Sequence, residues 1–173
     1  MLEEEIVKAG AFKLGNFTLA SGRKSDYYVD LRSVTTRPEL LKKVAQAMSQ
    51  HISKSDKIAG VELGAIPIAT ALSLETGIPF LMVRKQKKDH GAGKLVEGEL
   101  KPGDKVLFVE DTVTTAGSLI KAILAVRELG GIVETALVIV DREEGATENL
   151  AEIQVKMISI ASIAKLRECA SIQ

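Results

Sequence analysis

The chain has 173 residues, 46% of them hydrophobic, and its 23 Lys and Arg are matched by 23 Asp and Glu. That length supports one domain with a sizeable core, and no apolar run is long enough to span a membrane, so no membrane partner is expected. Balanced charge argues against a general nucleic-acid binder, though it leaves room for a local basic patch.

Residues 2–10 suit a short helix. Phe12, Leu14, Phe17 and Leu19 then give the broken alternation of a small strand pair or cap. Residues 18–32 predict a turn followed by a strand carrying Tyr27 and Tyr28. Four of the six aromatic residues fall before position 30, which alone predicts no more than a satellite hydrophobic cluster. Pro38 is placed to open a helix, with Thr36 or Arg37 near the cap, and Leu40, Leu41, Val44, Ala47 and Met48 form its apolar face. Residues 57–63 read as a strand, Gly64 and Ala65 as a turn, and 66–75 as a helix stopped by Gly77. Runs 79–83, 105–109, 132–140 and 154–160 read as further strands, and 118–129 and 161–168 as helices. Strands alternating with helices predict an α/β fold whose mostly parallel central sheet is flanked by helices on both faces. No linker or repeat interrupts it, so residues 1–173 are expected to form a single domain. The acidic start, Met1 to Glu5, lacks a signal-peptide pattern. The one cysteine, Cys169, fits a reducing cytosol and has no obvious base beside it. The expected location is cytoplasmic.

Three stretches carry chemistry. In the first, an apolar run ends in Glu110 and Asp111, followed by Thr112, Val113, Thr114, Thr115, Ala116, Gly117 and Ser118 at the mouth of an amphipathic helix. A helix N-terminus offers unpaired N–H groups and the positive end of a dipole. Small residues let an anion come close, and Thr114, Thr115 and Ser118 add hydroxyl donors. Two acids beside a phosphate cradle make sense if the ligand also carries hydroxyls or a metal ion, as a sugar phosphate with magnesium does. Neither a Gly-Lys-Ser/Thr nor a Gly-x-Gly-x-x-Gly run is present to suggest another kind of phosphate loop.

The second stretch, residues 84–98, holds Arg84, Lys85, Lys87, Lys88 and Lys94, together with His90 and glycines at 91, 93 and 98. A hinged loop of cations can stabilise charge on a departing pyrophosphate once water is excluded. A solvated charged loop and a nucleic-acid patch are its rivals. The third stretch is Asp141-Arg142-Glu143-Glu144-Gly145. Arg142 stands at a strand end, where ligands collect in open α/β sheets, and its rigid fork can grip a planar carboxylate.

Residues 110–118 resemble the signature of the type I phosphoribosyltransferases. Phe-x-Leu-x-Ser-Gly-x-x-Ser-x-Tyr from Phe17, Arg-Lys-x-x-Lys-x-His-Gly from Arg84 and Asp-Arg-x-Glu-Gly from Asp141 resemble the orotate phosphoribosyltransferases in particular. The resemblance runs from about Phe12 to the last helix. It implies an N-terminal hood formed mainly by residues 1–35 and a mobile catalytic loop at about 84–98. In the phosphoribosyl donor, Glu110 and Asp111 would hold the ribose diol and 112–118 the 5′-phosphate. Arg84, Lys88 and His90 would act on the neighbouring subunit of a homodimer and Lys85 on its own. Arg142 and Thr114 would bind orotate. Mg2+ would be held mainly by the donor and water, with no direct protein ligand expected. The family's pyrophosphate loop often contains a strained non-proline cis bond, here placed between Glu62 and Leu63. The chain departs from many bacterial members at Ala20 and Gly64, where they carry lysines, and at Ala116, where glycine is common. A purine phosphoribosyltransferase remains an alternative, as does a donor-sensing regulator. Such regulators generally carry a helix-turn-helix domain, for which the residues before Phe12 are too few.

Overall fold

The structure, a computed structural model, describes residues 1–18, 22, 24–84 and 94–172. The chain opens with α1 (Leu2–Lys8), whose Ile6 and Val7 are buried in the main core. Strands β1 (Phe12–Thr18) and β2 (Lys24–Val29) pair antiparallel as a separate two-stranded ribbon. A short α2 (Arg32–Thr35) leads to α3 (Pro38–Ser49), which has Pro at its start and Arg37 at its cap. Its buried face is Leu40, Val44, Ala45 and Met48, so Ala45 takes the place expected of Ala47.

The main sheet begins with β3 (Lys57–Val61), followed at once by α4 (Glu62–Thr76), β4 (Phe80–Val83) and β5 (Val96–Glu97). Then come β6 (Lys105–Val113), α5 (Gly117–Glu128), β7 (Ile132–Asp141), α6 (Ala146–Glu152), β8 (Lys156–Ser162) and α7 (Ile163–Ser171). The strand order is β5-β4-β3-β6-β7-β8, parallel throughout except for the antiparallel β4–β5 pair.

Alternation along β6 explains the two layers of core. Leu107 and Val109 face one cluster with Ile6, Val44, Met48, Ile68 and Leu72, while Val106 and Phe108 face the other with Ile123, Val126 and Leu150. A parallel sheet covered on both faces needs apolar residues at every step, and β3, β6 and β7 supply them.

Strand β8 and helix α7 each begin two residues later than expected, and two boundaries differ beside the crevice. Strand β6 runs on through Val113, because Thr112 and Val113 stay in register with Val140 and Asp141 and the Val113 side chain is buried. Helix α4 starts at Glu62, with no turn at Gly64 and Ala65, and ends on Gly77 in the left-handed conformation glycine favours. Among the described residues no helix is long and apolar enough to cross a membrane.

Candidate active site

From β3 the chain moves outward to β4 on one side, and from β6 outward to β7 on the other. The crevice between the carboxyl ends of β3 and β6 is therefore the topological switch point, where open α/β sheets bind ligands. Glu110 and Asp111 emerge at that end of β6, partly exposed. Strained backbone collects around it. Glu62 after β3 (φ 57°), Ala116 after β6 (φ 59°) and Glu143 after β7 (φ 56°) are all left-handed without being glycine. Such conformations cost energy and cluster at functional sites.

No cis bond joins Glu62 and Leu63, since every described peptide bond is trans; the unusual geometry here is the left-handed φ of Glu62. Gly64, in the first turn of α4, lies against the acid pair. A Cβ added there would sit 2.8 Å from Asp111 Oδ2. The departure from lysine at this position is thus matched by close approach between α4 and the acid-tipped end of β6.

Residues 110–119 and Lys121 line a polar cavity of about 410 Å3. No side chain caps α5, so the N–H groups at its start have no side-chain acceptor at the cap and could serve an anion. The loop before it is held from outside. Asn149 Nδ2 of α6 donates to the Thr115 carbonyl at 2.9 Å, and the Arg142 backbone N–H donates to the Val113 carbonyl at 3.0 Å. The Val113 side chain belongs to the core, so it has only backbone to offer.

That Arg142 bond joins the end of β6 to the other end of the site. A larger cavity of about 970 Å3 lies under the β1–β2 ribbon, lined by Phe17, Lys24, Asp26, Tyr27, Arg142 and Glu144 among others. Arg142 is aimed by two partners. Its Nε donates to Tyr27 Oη at 3.0 Å, and an Nη lies 2.9 Å from Glu144 Oε1. Thr114 and Arg142 leave the sheet side by side, one step beyond the paired Val113 and Asp141. The structure therefore brings together Glu110 through Ser118, Thr114 and Arg142 along one crevice.

At the sheet edge, Arg84 N–H donates to the Leu95 carbonyl at 2.9 Å, closing the base of the basic segment above the β4–β5 pair. Arg84 also shares a cavity of about 280 Å3 with Ser118 and Lys121, which connects that base with the phosphate loop. Lys85, Lys88 and His90 lie outside the described residues, as does Ala20. Sequence reasoning placed strain at Glu62 but missed its left-handed form, and it missed Asn149 and the Tyr27–Arg142 bond. Left-handed residues and long-range hydrogen bonds leave no local signature, although the aromatic position itself was visible in the hood motif.

The phosphoribosyl transferase domain family matches residues 30–165. The chain is 48% identical over 179 residues to the orotate phosphoribosyltransferase of Pyrococcus abyssi, covering 99% of this chain and 98% of that one. The crystal structure of orotate phosphoribosyltransferase from Aeropyrum pernix superposes with a TM-score of 0.89 at 35% identity, covering 100% of this chain and 99% of that one. That of Mycobacterium tuberculosis orotate phosphoribosyltransferase in complex with 5-phospho-alpha-D-ribosyl 1-diphosphate gives 0.80 at 31% identity, covering 96% and 99%. The fold, the acid-tipped strand with its hydroxyl-rich loop, and these likenesses over nearly the whole length agree, and the chain belongs to the phosphoribosyltransferases, among the orotate phosphoribosyltransferases.

Proposed function

We propose that the chain transfers ribose 5-phosphate from 5-phospho-α-D-ribose 1-diphosphate to a ring nitrogen of orotate, giving orotidine 5′-phosphate and diphosphate on the route to UMP. The observation that carries this reading is the position of Arg142. Its guanidinium lies in an aromatic-walled cavity and its N–H bonds to the end of the phosphate-loop strand. A planar base with a carboxylate suits that fork, whereas purine bases have no carboxylate to offer it.

In this reading Glu110 and Asp111 accept hydrogen bonds from the ribose hydroxyls. Residues 112–118 hold the 5′-phosphate with backbone N–H groups and hydroxyls. The bond between the anomeric carbon and the diphosphate oxygen breaks as the ring nitrogen of orotate closes on that carbon. Alignment along one crevice supplies much of the rate. Arg84, Lys85, Lys88 and His90 meet the negative charge that builds on the leaving diphosphate. Thr114 and Arg142 orient orotate.

Magnesium fits this donor set. Among the described residues no group of three or more His, Cys, Asp or Glu could hold a metal alone. Glu110 and Asp111 line the donor cavity and would act on the ion through the donor's oxygens and water, as suits an ion that keeps substrate oxygens and water as its ligands. When bound, the ion would neutralise charge on the departing diphosphate.

A homodimer with the basic loop shared between subunits accords with α4. That helix is apolar on all sides, yet Leu63 and Leu74 are 85% and 83% exposed. A helix of that kind is ordinarily covered. A cytoplasmic location fits the single free cysteine.

Mixing the protein with orotate, donor and magnesium tests the function. Orotate's ultraviolet absorbance is expected to fall, with diphosphate released in equal amount. Turnover of a purine base in place of orotate would refute the reading.

A further inference from the structure

The base-side cavity is walled by a two-stranded ribbon, and such ribbons are marginal alone. The last helix supplies an anchor. Arg167 of α7 donates from both Nη atoms to the Asp26 carboxylate, at 2.8 and 2.6 Å. Its guanidinium carbon also lies 4.8 Å from the centroid of the Tyr27 ring, which stacks on Phe12. The guanidinium carbon of Arg142 lies 5.1 Å from the same centroid. One aromatic ring thus meets two cations, and its hydroxyl accepts from Arg142 Nε.

We propose that Arg167 is a positioning residue for the acceptor base. Acting through Asp26 and Tyr27, it sets the direction in which Arg142 presents its fork. Arg167 does not line the cavity, whereas Asp26, Tyr27 and Arg142 do. Its pairing with Asp26 is exposed, the two side chains being 37% and 68% accessible, so it adds little to global stability. Its effect is local. A rigid fork binds a carboxylate well only when its plane is fixed in advance, because orientation lost in the free protein must be restored on binding. The hydrogen bonds from the Arg167 guanidinium hold the Asp26 carboxyl below the usual carboxylate range.

This inference rests on the assignment of Arg142 to orotate, and steady-state kinetics of Arg167→Gln, Arg142→Ala and Arg32→Gln separate the two. Arg32 makes a similar two-bond fork to Asp30 at the surface and does not line the base-side cavity. Arg167→Gln is expected to raise the orotate KM about fivefold, with kcat, the donor KM and the melting temperature nearly unchanged. Arg167→Lys, which keeps the charge, should recover part of the loss, and Arg32→Gln should leave the orotate KM as it is. If Arg142→Ala raises the orotate KM and Arg167→Gln does not, the positioning role is wrong. Equal rises in both KM values, or a similar rise in Arg32→Gln, would mark a general effect on the hood and overturn it too. If neither arginine affects orotate, the assignment of Arg142 itself fails.

Discussion

Gly64 shows how a single residue can be misjudged from its neighbours in sequence. Seen in the chain, it is a missing cation in a loop that grips pyrophosphate. Seen in space, it is the contact that lets the first turn of α4 lie against Asp111. Asp111 is also tied down on its other side, where Oδ1 accepts the Thr112 N–H at 2.6 Å, so it has little freedom to retreat. Gly64→Ala is therefore expected to raise the donor KM about tenfold while sparing the orotate KM. Gly64→Lys should lower activity further, although it restores the lysine of many bacterial members. Wild-type donor affinity in Gly64→Ala would show that the carboxylate moves aside freely. Ala116 is a similar case. It takes the left-handed conformation in which glycine is common, with its methyl group buried. The substitution was legible in the sequence, and the strain it causes was not, because φ depends on where β6 ends and α5 begins.

The elements were mostly legible because hydrophobic period reports burial, and burial is what a doubly covered sheet imposes. Apart from two-residue shifts in β8 and α7, the boundaries that moved lie at the crevice. Two acids looked like the end of β6, but a strand that projects into a ligand cleft can carry solvated charge and still pair with its neighbour. Short α6, with its Asn149 clasp on the phosphate loop, gave no period to read. Helix α4 gave the opposite signal, apolar on every side, and the isolated chain leaves Leu63 and Leu74 bare. A second copy is the proposed cover. Leu74→Glu should then convert a dimer into a monomer in sedimentation, since burying a carboxylate without a partner is costly. A sedimentation coefficient unchanged by the substitution would place the interface elsewhere.

For the whole molecule, the account is of one crevice with two ends. The donor end is β6 with its loop, the acceptor end is the cavity between the ribbon and β7, and the bond from Arg142 N–H to the Val113 carbonyl joins them. The motifs at 110–118 and 141–145 could be read in the sequence, since each is a short continuous run. Their junction could not be read, because it depends on the parallel register of β6 and β7. The hood's hold on Arg142 was equally hidden, as Asp26 and Arg167 lie at opposite ends of the chain. The most direct test varies each substrate separately in Arg142→Ala. The account predicts that the orotate KM rises at least about tenfold while the donor KM stays within about twofold of wild type. Equal rises in the two would contradict a crevice divided in this way.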